Sequence, residues 1–469
     1  MPLILSGNVA SATASTGYDV DNSCRFNDDD SAYLSRTQAS GSTTKFTYSA
    51  WMKRGKLTDA QDFLDVYNDN NNRFGFFWND DDQIDMYNKI SGSVNFQKIT
   101  TAKYRDPSAW YHVVIAADTT LGTAEDRIKL WVNGVRVTSF GTNTNPGSSV
   151  NFSIHSSSHE QRIGSYGTGS SYYDGLYAEV FWIDGTAYAN TDFGEFDSGS
   201  PTIWKPKDCK DNLTFGTNGF YLDFADSGDL GDDESGNGND FTENNIAAVD
   251  QGTDSPTNNF CTMNPLNDVS VSGHDFSEGN TVVNVASGER ASSFATIGMT
   301  NGKWYCEMKL TNASGHDFLG IAGKGNGGAT DQLGWNDYQW SYYSATGKYA
   351  HDSGEISFSG GDNTWTADDI IGLAIDLDSG TKTLKWHKNG TYQSDVTLDE
   401  NASATDWGAW FFACGSGTGA NDSVYAMNFG NPSFTISSGN ADANGYGNFE
   451  YAVPSGYFAL CTKNLAEYG

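Results

Sequence analysis

Two Asn-Gly dipeptides constrain the fold of this chain more than any other feature, because each lies between two runs of alternating apolar and polar residues. Residues 127–137 read RIKLWVNGVRV, and residues 381–392 read TKTLKWHKNGTY. Asn-Gly favours a two-residue hairpin turn, since both turn positions need a positive φ angle. An apolar run precedes each hairpin, WYHVVIAAD at 110–118 and IIGLAIDLD at 370–378. The repeated pattern predicts two antiparallel β domains about one domain length apart.

The composition also indicates an all-β protein. The 469 residues include 53 Gly and only 9 Pro, and 14% of them are aromatic. Such a composition is typical of many short strands joined by tight turns, and no long segment has helical periodicity. We therefore predict two antiparallel β-sandwich (jelly-roll) domains joined by an irregular connector.

Turn-rich stretches divide the chain into four parts. We predict an N-terminal extended arm over 1–21, a first sandwich over 22–200, a connector over 201–284, and a second sandwich with a C-terminal tail over 285–469. The connector is too long for a plain linker, and it contains the strand-like stretch GTNGFYLDFAD. We therefore expect it to pack on the sandwiches.

The charge of the chain excludes several classes of partner. The 27 Lys and Arg against 59 Asp and Glu give a net charge of −32. This excess argues against nucleic-acid binding, which needs cations against phosphate, and against anionic membranes. No apolar run is long enough to span a membrane, and the N-terminus lacks the basic region of a signal peptide. We expect a protein made in a cytoplasm, with no nucleic acid partner and no membrane insertion.

Six scattered cysteines indicate neither zinc nor a redox pair. No two of them form a CxxC motif, which excludes a zinc ribbon. We predict buried free thiols, with disulfides as the alternative. They are Cys24, Cys209, Cys261, Cys306, Cys414 and Cys461.

Each half of the chain resembles a known family of β-sandwich. The stretches FTYSAWMKR, WYHVVIAAD, IKLWVNGVRV and IGSYGTGSSYYDGLYAEVFWIDGTAY, within about 22–200, resemble the laminin-G/pentraxin type of concanavalin A-like domain. The stretches GKWYCEMKL, FLGIAGKG, DDIIGLAIDLDSGTKTLKWHKNG and WFFACGSG, across about 285–435, resemble a SPRY domain. The second match is the more specific, since its Gly, Asp and Asn-Gly fall in the family's order.

The order of further segments is similar to that of virion proteins of marine bacteriophages. These segments are RFNDDDSAYLSRT, GTNGFYLDF with GDDESGNGNDFT, DSPTNNFCTMNPL and PSGYFALCTKNL. The resemblance covers almost the whole chain. It implies a tail or appendage protein that displays lectin-like sandwiches, assembled in the host cytoplasm into the virion.

The motif that would indicate glycoside hydrolysis is incomplete. Hydrolases of the concanavalin A-like fold carry Glu-x-Asp-x-x-Glu, in which alternation puts three carboxylates on one face. The nearest stretch here, QIDMYN, has Gln83, Asp85 and Asn88, and an amide can neither attack nor transfer the proton. His155 and His159 are four apart but lie in a Ser-rich turn instead of a helix. We predict no enzyme, although carboxylates can converge from distant strands.

Calcium is the one metal that the sequence leaves open, and we expect no cofactor to be required. The stretch DESGNGND partly follows a Ca²⁺ loop through Asp233 and Asn237, but Asn244 stands where the bidentate Glu belongs. The laminin-G resemblance implies Ca²⁺ at loop ends on the sandwich rim. Candidates there, by residue type alone, are Asp62, Asp65, Asp80 and Asp82. Solvated acidic turns explain all these residues equally well.

Clusters of aromatic residues are the candidate ligand-binding sites. The densest is GWNDYQWSYY at 334–343, which we predict to be a loop, and smaller clusters occur at FFWNDDD and SYYDG. Tyr and Trp are enriched at binding surfaces, although many also fill cores. The candidates are Trp335, Tyr338, Trp340, Tyr342, Tyr343, Trp78, Tyr172 and Tyr173.

These observations lead to three hypotheses about function. The first is a non-catalytic phage tail fibre or appendage adhesin that binds a host-surface glycan or protein, alongside other virion proteins and as a homo-oligomer, a trimer by analogy with phage fibres. The second is a head decoration or other structural subunit whose partner is another capsid or tail protein. The third is a polysaccharide depolymerase, which would need convergent carboxylates in a groove.

Overall fold

The structure is a computed structural model that describes residues 4–5 (backbone alone), 17–156, 159–266, 274–323, 332–398 and 407–469. Of the predicted arm over 1–21, residues 1–3 and 6–16 lie outside the described residues. The chain divides into two compact units. The N-terminal unit is Thr16–Thr257, and the C-terminal unit comprises Asn258–Gly469 together with the first strand.

The first strand, β1 (Ile4–Leu5), belongs to the C-terminal unit, and all others up to residue 257 belong to the N-terminal unit. Residues 201–257, predicted as part of the connector, contribute strands to this N-terminal unit. Its strands are β2 (Ser23–Phe26), β3 (Tyr33–Thr37), β4 (Lys45–Arg54), β5 (Gln61–Asp69), β6 (Asn72–Trp78), β7 (Ile84–Ile90), β8 (Ser93–Thr100), β9 (Trp110–Asp118), β10 (Ile128–Val132), β11 (Val135–Arg136), β12 (Phe140–Thr144), β13 (Glu160–Ile163), β14 (Gly175–Asp184), β15 (Gly194–Phe196), β16 (Trp204–Pro206), β17 (Phe220–Leu222), β18 (Thr242–Asn244) and β19 (Gln251–Gly252).

Two antiparallel sheets form the sandwich of the N-terminal unit. The hairpin sheet has the order β11-β10-β9-β4-β14-β2-β19, and β17 also pairs with β14. The cleft sheet has the order β12-β8-β7-β6-β5-β13-β3-β18. Short 3₁₀ turns occur at Ala124–Asp126, Asn190–Asp192, Lys210–Asn212 and Ala248–Asp250.

Alternation along the strands builds the core between the two sheets. Every second side chain points inward, because successive side chains of a strand face opposite sides. Phe46 of the hairpin sheet stacks on Trp182, with ring centroids 4.9 Å apart, and meets Phe74 of the cleft sheet edge-on at 5.2 Å. Such aromatic contacts add to the burial that stabilises the sandwich.

The C-terminal unit is a second antiparallel sandwich. Its elements are β20 (His274–Ser277), β21 (Val282–Val285), β22 (Ala291–Phe294), β23 (Ile297–Gly298), β24 (Lys303–Asn312), β25 (Asp317–Ala322), β26 (Gln339–Tyr343), β27 (Tyr349–His351), β28 (Gly354–Ile356), β29 (Ile370–Asp376), β30 (Thr383–Lys388), β31 (Thr391–Tyr392), β32 (Val396–Thr397), β33 (Phe411–Ser416), β34 (Ser423–Asn428), β35 (Phe458–Ala459) and α1 (Thr462–Tyr468). Its sheets have the orders β20-β21-β34-β24-β29-β30-β31 and β22-β33-β25-β26-β27-β28, while β1 pairs with β23 in parallel.

The all-β class with antiparallel sheets, predicted from composition and alternation, is confirmed. All six cysteines are buried, and none forms a disulfide. None of the described helices is long and apolar enough to cross a membrane.

Both Asn-Gly turns have the backbone that the sequence predicts. Asn133 and Gly134 have φ angles of 46° and 78°, and Asn389 and Gly390 have 47° and 78°. Each Asn side chain also accepts a hydrogen bond from the strand before the hairpin. Asn133 Oδ1 accepts from the His112 amide at 2.7 Å, and Asn389 Oδ1 accepts from the Ile370 amide at 2.8 Å. The turn residue therefore fixes the register of three strands.

Replacing Gly134 by Ala tests this hairpin. A Cβ at Gly134 would lie 2.2 Å from a ring carbon of Trp204, and the positive φ angle is itself unfavourable for Ala. We expect Gly134→Ala to lower the free energy of unfolding by about 1–3 kcal/mol in urea denaturation. Gly122→Ala is the control, since a Cβ there would meet nothing within 4 Å. Equal stability of the two variants would contradict the role assigned to this turn.

Candidate functional site

A cleft lies on the outer face of the cleft sheet, opposite the core. Inward residues of β5 to β8 are apolar and buried, for example Phe63, Phe74 and Met86. Their neighbours along each strand point outward, as alternation requires, and many of them are charged or aromatic. We call the resulting cavity of about 390 Å³ the Arg73 cleft. It is lined by Asn70, Arg73, Phe77, Tyr87, Lys89, Val94, Gln97 and Tyr166.

The register of the strands places two rows of side chains across the cleft floor. In one row, Asp62 of β5 pairs with Phe77 of β6, which pairs with Asp85 of β7. In the next row, Asp65 pairs with Gly75, which pairs with Tyr87. Three carboxylates from two strands therefore point to the same side of the sheet. Sequence spacing alone could not bring Asp62 and Asp65 next to Asp85.

Arg73 holds two of these carboxylates at once. Its Nε donates to Asp65 Oδ1 at 2.5 Å, and its Nη2 donates to Asp62 Oδ1 at 2.6 Å. The guanidinium carbon lies 3.7 Å from the ring centre of Tyr166 and 4.8 Å from that of Tyr87. A planar guanidinium can make such forked contacts and stack on rings at the same time. Both tyrosine rings therefore contact the same cation.

Glycine at position 75 keeps the floor of the cleft open. A Cβ at Gly75 would lie 2.9 Å from Asp65 Oδ1 and 3.6 Å from the Tyr87 ring. A larger residue would displace the carboxylate that Arg73 binds. Gly167 of the neighbouring loop donates its amide to Asp65 Oδ2 at 3.0 Å, which fixes the other carboxylate oxygen.

Burial raises the pKa of all three carboxyl groups in these two rows. The pKa of Asp62 is well above its usual value, because the group is desolvated and lies beside Asp65. Burial raises the pKa of Asp65 to about 6, although Arg73 opposes this rise. Burial likewise raises the pKa of Asp85 to about 6, against the hydrogen bonds from Gln97 Nε2 at 3.1 and 3.2 Å. Asp65 and Asp85 therefore titrate near pH 6 instead of near 4.

Most of the aromatic candidates prove to be core residues. The stretch at 334–343 was predicted as a loop, but Gln339–Tyr343 is strand β26, and both of its faces are covered. Buried rings offer no free face to a ligand, which corrects the assignment of five candidates. These are Trp340, Tyr342, Tyr343, Trp78 and Tyr173, each at most 6% exposed.

The remaining aromatic candidates are half-buried. Trp335 packs edge-on against Phe318 at 5.7 Å, and Tyr338 packs against the core of the C-terminal unit. Tyr172 is different, because it lies beside Tyr33 of the cleft sheet, with ring centroids 6.2 Å apart. The structure thus brings Tyr172, but none of the other aromatic candidates, to the face that carries the Arg73 cleft.

Three of the four candidate calcium ligands on the rim have protein partners. Asp62 and Asp65 bind Arg73, while Asp82 binds Arg54 at 3.1 Å and Arg105 at 2.6 Å. Asp80 is exposed in the turn that precedes β7. No group of three or more His, Cys, Asp or Glu side chains that could hold a metal ion occurs within the described residues.

The predicted calcium loop at 233–240 is a hydrogen-bonded turn. Asp233 accepts hydrogen bonds from the amides of Tyr221 and Ser235, both at 2.9 Å. Asn237 Nδ2 donates to the carbonyls of Gly216 and Gly219, at 2.8 and 2.9 Å. The side chains that could have bound Ca²⁺ thus organise their own loop, as turn residues commonly do.

The residues that build the cleft were not singled out by the sequence, apart from Asp62, Asp65 and Asp85. Arg73, Tyr87, Lys89 and Gln97 are spread over three strands, and each looks like an ordinary outward residue. One signal was available. The strands RFGFFW and QIDMYN place charged or aromatic residues at outward positions 73, 77, 85 and 87, where a solvated sheet would carry small polar residues.

One family model matches part of the N-terminal unit. Residues 26–188 match the family model Laminin_G_3, described as concanavalin A-like lectin/glucanases superfamily. This confirms the concanavalin A-like resemblance of the first block. The cleft sheet lies largely within the matched residues. No curated protein matches the sequence.

Parts of the chain are similar to solved structures. The SPRY domain of human HERC1 has a TM-score of 0.28 and 16% identity, over 35% of this chain and 96% of that domain. A second human SPRY domain has a TM-score of 0.27 and 17% identity, over 33% of this chain and 94% of that one. The heptameric SAP-like pentraxin of Limulus polyphemus has a TM-score of 0.28 and 16% identity, over 37% of this chain and 80% of the pentraxin.

The raised pKa of Asp85 gives a pH-dependent prediction. Its folded-state pKa of about 6 lies above the unfolded value, so ionisation costs stability as pH rises through this range. Asp85→Asn removes this cost. We measure the difference in free energy of unfolding, variant minus wild type, by urea denaturation at several pH values. We expect this difference to increase by about 2–3 kcal/mol from pH ~4 to pH ~7.5.

Asp81→Asn is the matched control for this experiment. Lys103 lowers the pKa of the exposed Asp81, so its ionised form is the one that the fold favours. The relative stability of that variant should move in the opposite direction as pH rises. A difference between Asp85→Asn and the wild type that does not change with pH would show that Asp85 ionises normally.

Proposed function

We propose that this chain is a non-catalytic, glycan-binding protein of a bacteriophage virion, acting as a tail fibre or appendage adhesin. The Arg73 cleft is the observation that carries the binding part of this proposal. The match of residues 26–188 to a superfamily described by lectins and glucanases supports a sugar as the ligand. The virion setting rests on the segments that resemble phage proteins, from RFNDDDSAYLSRT to PSGYFALCTKNL.

The cleft offers the two kinds of contact that a sugar needs. The half-exposed rings of Tyr166 and Phe77 present apolar faces to the C–H groups of a pyranose. Lys89 Nζ and Arg73 Nη1 have no hydrogen-bond partner among the described residues, so both can donate to sugar hydroxyls. The buried hydroxyl of Tyr87 is likewise without a partner in the described part of the chain. A ligand that satisfied these donors would be oriented on the floor.

Binding without turnover fits the pairing of the carboxylates. Glycoside hydrolysis needs one carboxyl group to donate a proton and a second to act as base or nucleophile. Here Arg73 binds both Asp62 and Asp65, and Gln97 donates to both oxygens of Asp85. Such partners hold the groups in place and lower their reactivity as nucleophiles.

An adhesin whose single site binds weakly gains overall affinity when several copies bind at once. Several copies on one virion raise the overall affinity, because each further contact is made within an already bound particle. We therefore propose a homo-oligomer that is held by other virion proteins and presents several clefts to the host surface.

A glycan panel tests the proposal. Purified full-length protein is measured against laminarin, mannan, galactan and alginate by microarray and calorimetry, and against intact host cells by competition. We expect Tyr166→Ala to weaken glycan binding about tenfold, or ~1.4 kcal/mol, because the stacking face is lost. Tyr392→Ala, an exposed tyrosine of the C-terminal unit, is the control. An unchanged affinity of Tyr166→Ala would move the binding site away from this cleft.

A turnover assay tests the absence of catalysis. The wild-type protein is incubated with each polysaccharide that binds, at pH ~5 to ~8, the range in which Asp65 and Asp85 titrate. We expect no release of reducing ends. Product release that Asp85→Asn abolishes would replace the adhesin by a depolymerase, because three carboxyl groups lie in neighbouring rows on the sheet face that carries the cleft.

A further inference from the structure

A second arginine–tyrosine contact lies on the same outer face, beyond the Arg73 cleft. The guanidinium carbon of Arg162 on β13 lies 4.5 Å from the ring centre of Tyr33 on β3. Tyr172 approaches Tyr33 from the neighbouring loop, with ring centroids 6.2 Å apart. Both rings are half-exposed. This group repeats the chemistry of Tyr166 and Arg73 at a new position.

The sheet register aligns the two arginine–tyrosine groups. In the strand register, Arg162 lies opposite Asp65. The same row of residues continues across the sheet through Gly75 to Tyr87. The strand order from the cleft outward is β7-β6-β5-β13-β3. Four strand spacings separate β7 from β3, which makes about 19 Å. This length is several times the width of one sugar ring.

The loop between the two groups joins them. Tyr166 packs edge-on against Tyr67 at 5.6 Å, and its carbonyl accepts a hydrogen bond from Arg162 Nη1 at 3.2 Å. A Cβ at Gly167 would lie 2.2 Å from Tyr67 Cβ, so the absence of a side chain lets this loop lie close to the strand. Tyr166 thus contacts both arginines, through its ring and through its carbonyl.

We propose that the face binds an extended, neutral glycan chain, with a second sugar subsite at Tyr33, Arg162 and Tyr172. The inference rests on the proposed function and specifies its ligand. One sugar would occupy the Arg73 cleft, and a later sugar of the same chain would stack on Tyr33 and Tyr172. The binding mode therefore recognises an internal stretch of a polysaccharide instead of a terminal sugar.

The charge of the protein favours a neutral chain. The net charge of −32 repels polyanions, and the field acts over a Debye length of about 8 Å at physiological salt. The carboxylates of Asp62 and Asp65 bind Arg73, which lines the first subsite, and Asp85 pairs across the sheet with Phe77 of the same lining. Arg162 is already paired, since its Nη2 donates to Glu160 Oε2 at 3.0 Å. The arginines of both subsites are therefore already paired with carboxylates and are not in excess for the acid groups of a uronic-acid polymer.

Graded oligosaccharides test the second subsite. Disaccharides, tetrasaccharides and octasaccharides of laminarin, mannan and galactan are the neutral probes, and alginate fragments of equal length are the acidic ones. Calorimetry measures each of them against full-length wild type, Tyr33→Ala, Tyr33→Phe and Tyr166→Ala, after thermal unfolding has shown that the variants are folded. We expect affinity for the best neutral series to rise with chain length.

The variants separate the two subsites. Tyr33→Ala should lose about five- to tenfold affinity for the octasaccharide and none for the disaccharide, whereas Tyr33→Phe keeps the ring and the affinity. Tyr166→Ala should weaken both lengths. Unchanged octasaccharide binding by Tyr33→Ala, or tighter binding of alginate fragments than of neutral ones, would overturn the inference while the proposed function stands. No binding of any saccharide would overturn both.

Discussion

The outer face of the N-terminal sandwich depends on one buried cation. Asp62 and Asp65 are almost fully removed from water, and an unpaired carboxylate in such a place costs several kcal/mol. Arg73 offsets this cost by binding both groups with separate nitrogens. Because the guanidinium is planar and its stem crosses between β6 and β5, its position also fixes the rings of Tyr87 and Tyr166. The shape of the cleft therefore follows from the need to neutralise two acids.

Buried acids with dedicated donors recur throughout this acidic chain. Lys53 binds Asp254 at 2.6 Å, with both side chains almost fully buried. In the C-terminal unit, buried Glu307 accepts hydrogen bonds from the Tyr305 hydroxyl at 2.9 Å and from the amides of Glu450 and Tyr451 at 2.9 and 2.8 Å. Burial raises the pKa of Glu307 to about 6 despite these donors. A carboxylate with several donors can join distant segments, and the chain uses Glu307 to hold the residues before its C-terminal helix.

The sequence predicted the features that depend only on residues close together in the chain. Asn-Gly turns need no long-range information, because the φ angles of two residues determine them, and both turns form as expected. The class of fold follows equally from composition and alternation. The prediction of a ligand-binding loop at 334–343 was wrong, because the burial of these residues depends on contacts between distant strands. The aromatic content of this stretch fits an exposed loop and a core strand equally well, and the pairing of β26 between β25 and β27 is what buries Trp340 and Tyr342.

The Arg73 cleft could not be predicted because it is a property of register. Asp62, Arg73 and Tyr87 become neighbours only when three strands pair with the offsets that the bulges in β5 permit. A shift of one residue in any strand would turn these side chains into the core. The densest run of aromatic residues in the sequence, at 334–343, therefore lies mostly in the core. The half-exposed rings of the cleft come from positions that are far apart in the sequence. The neighbouring strands already hold the side chains of this sheet face in place before a ligand binds. A glycan bound there would therefore pay little conformational entropy for ordering the protein.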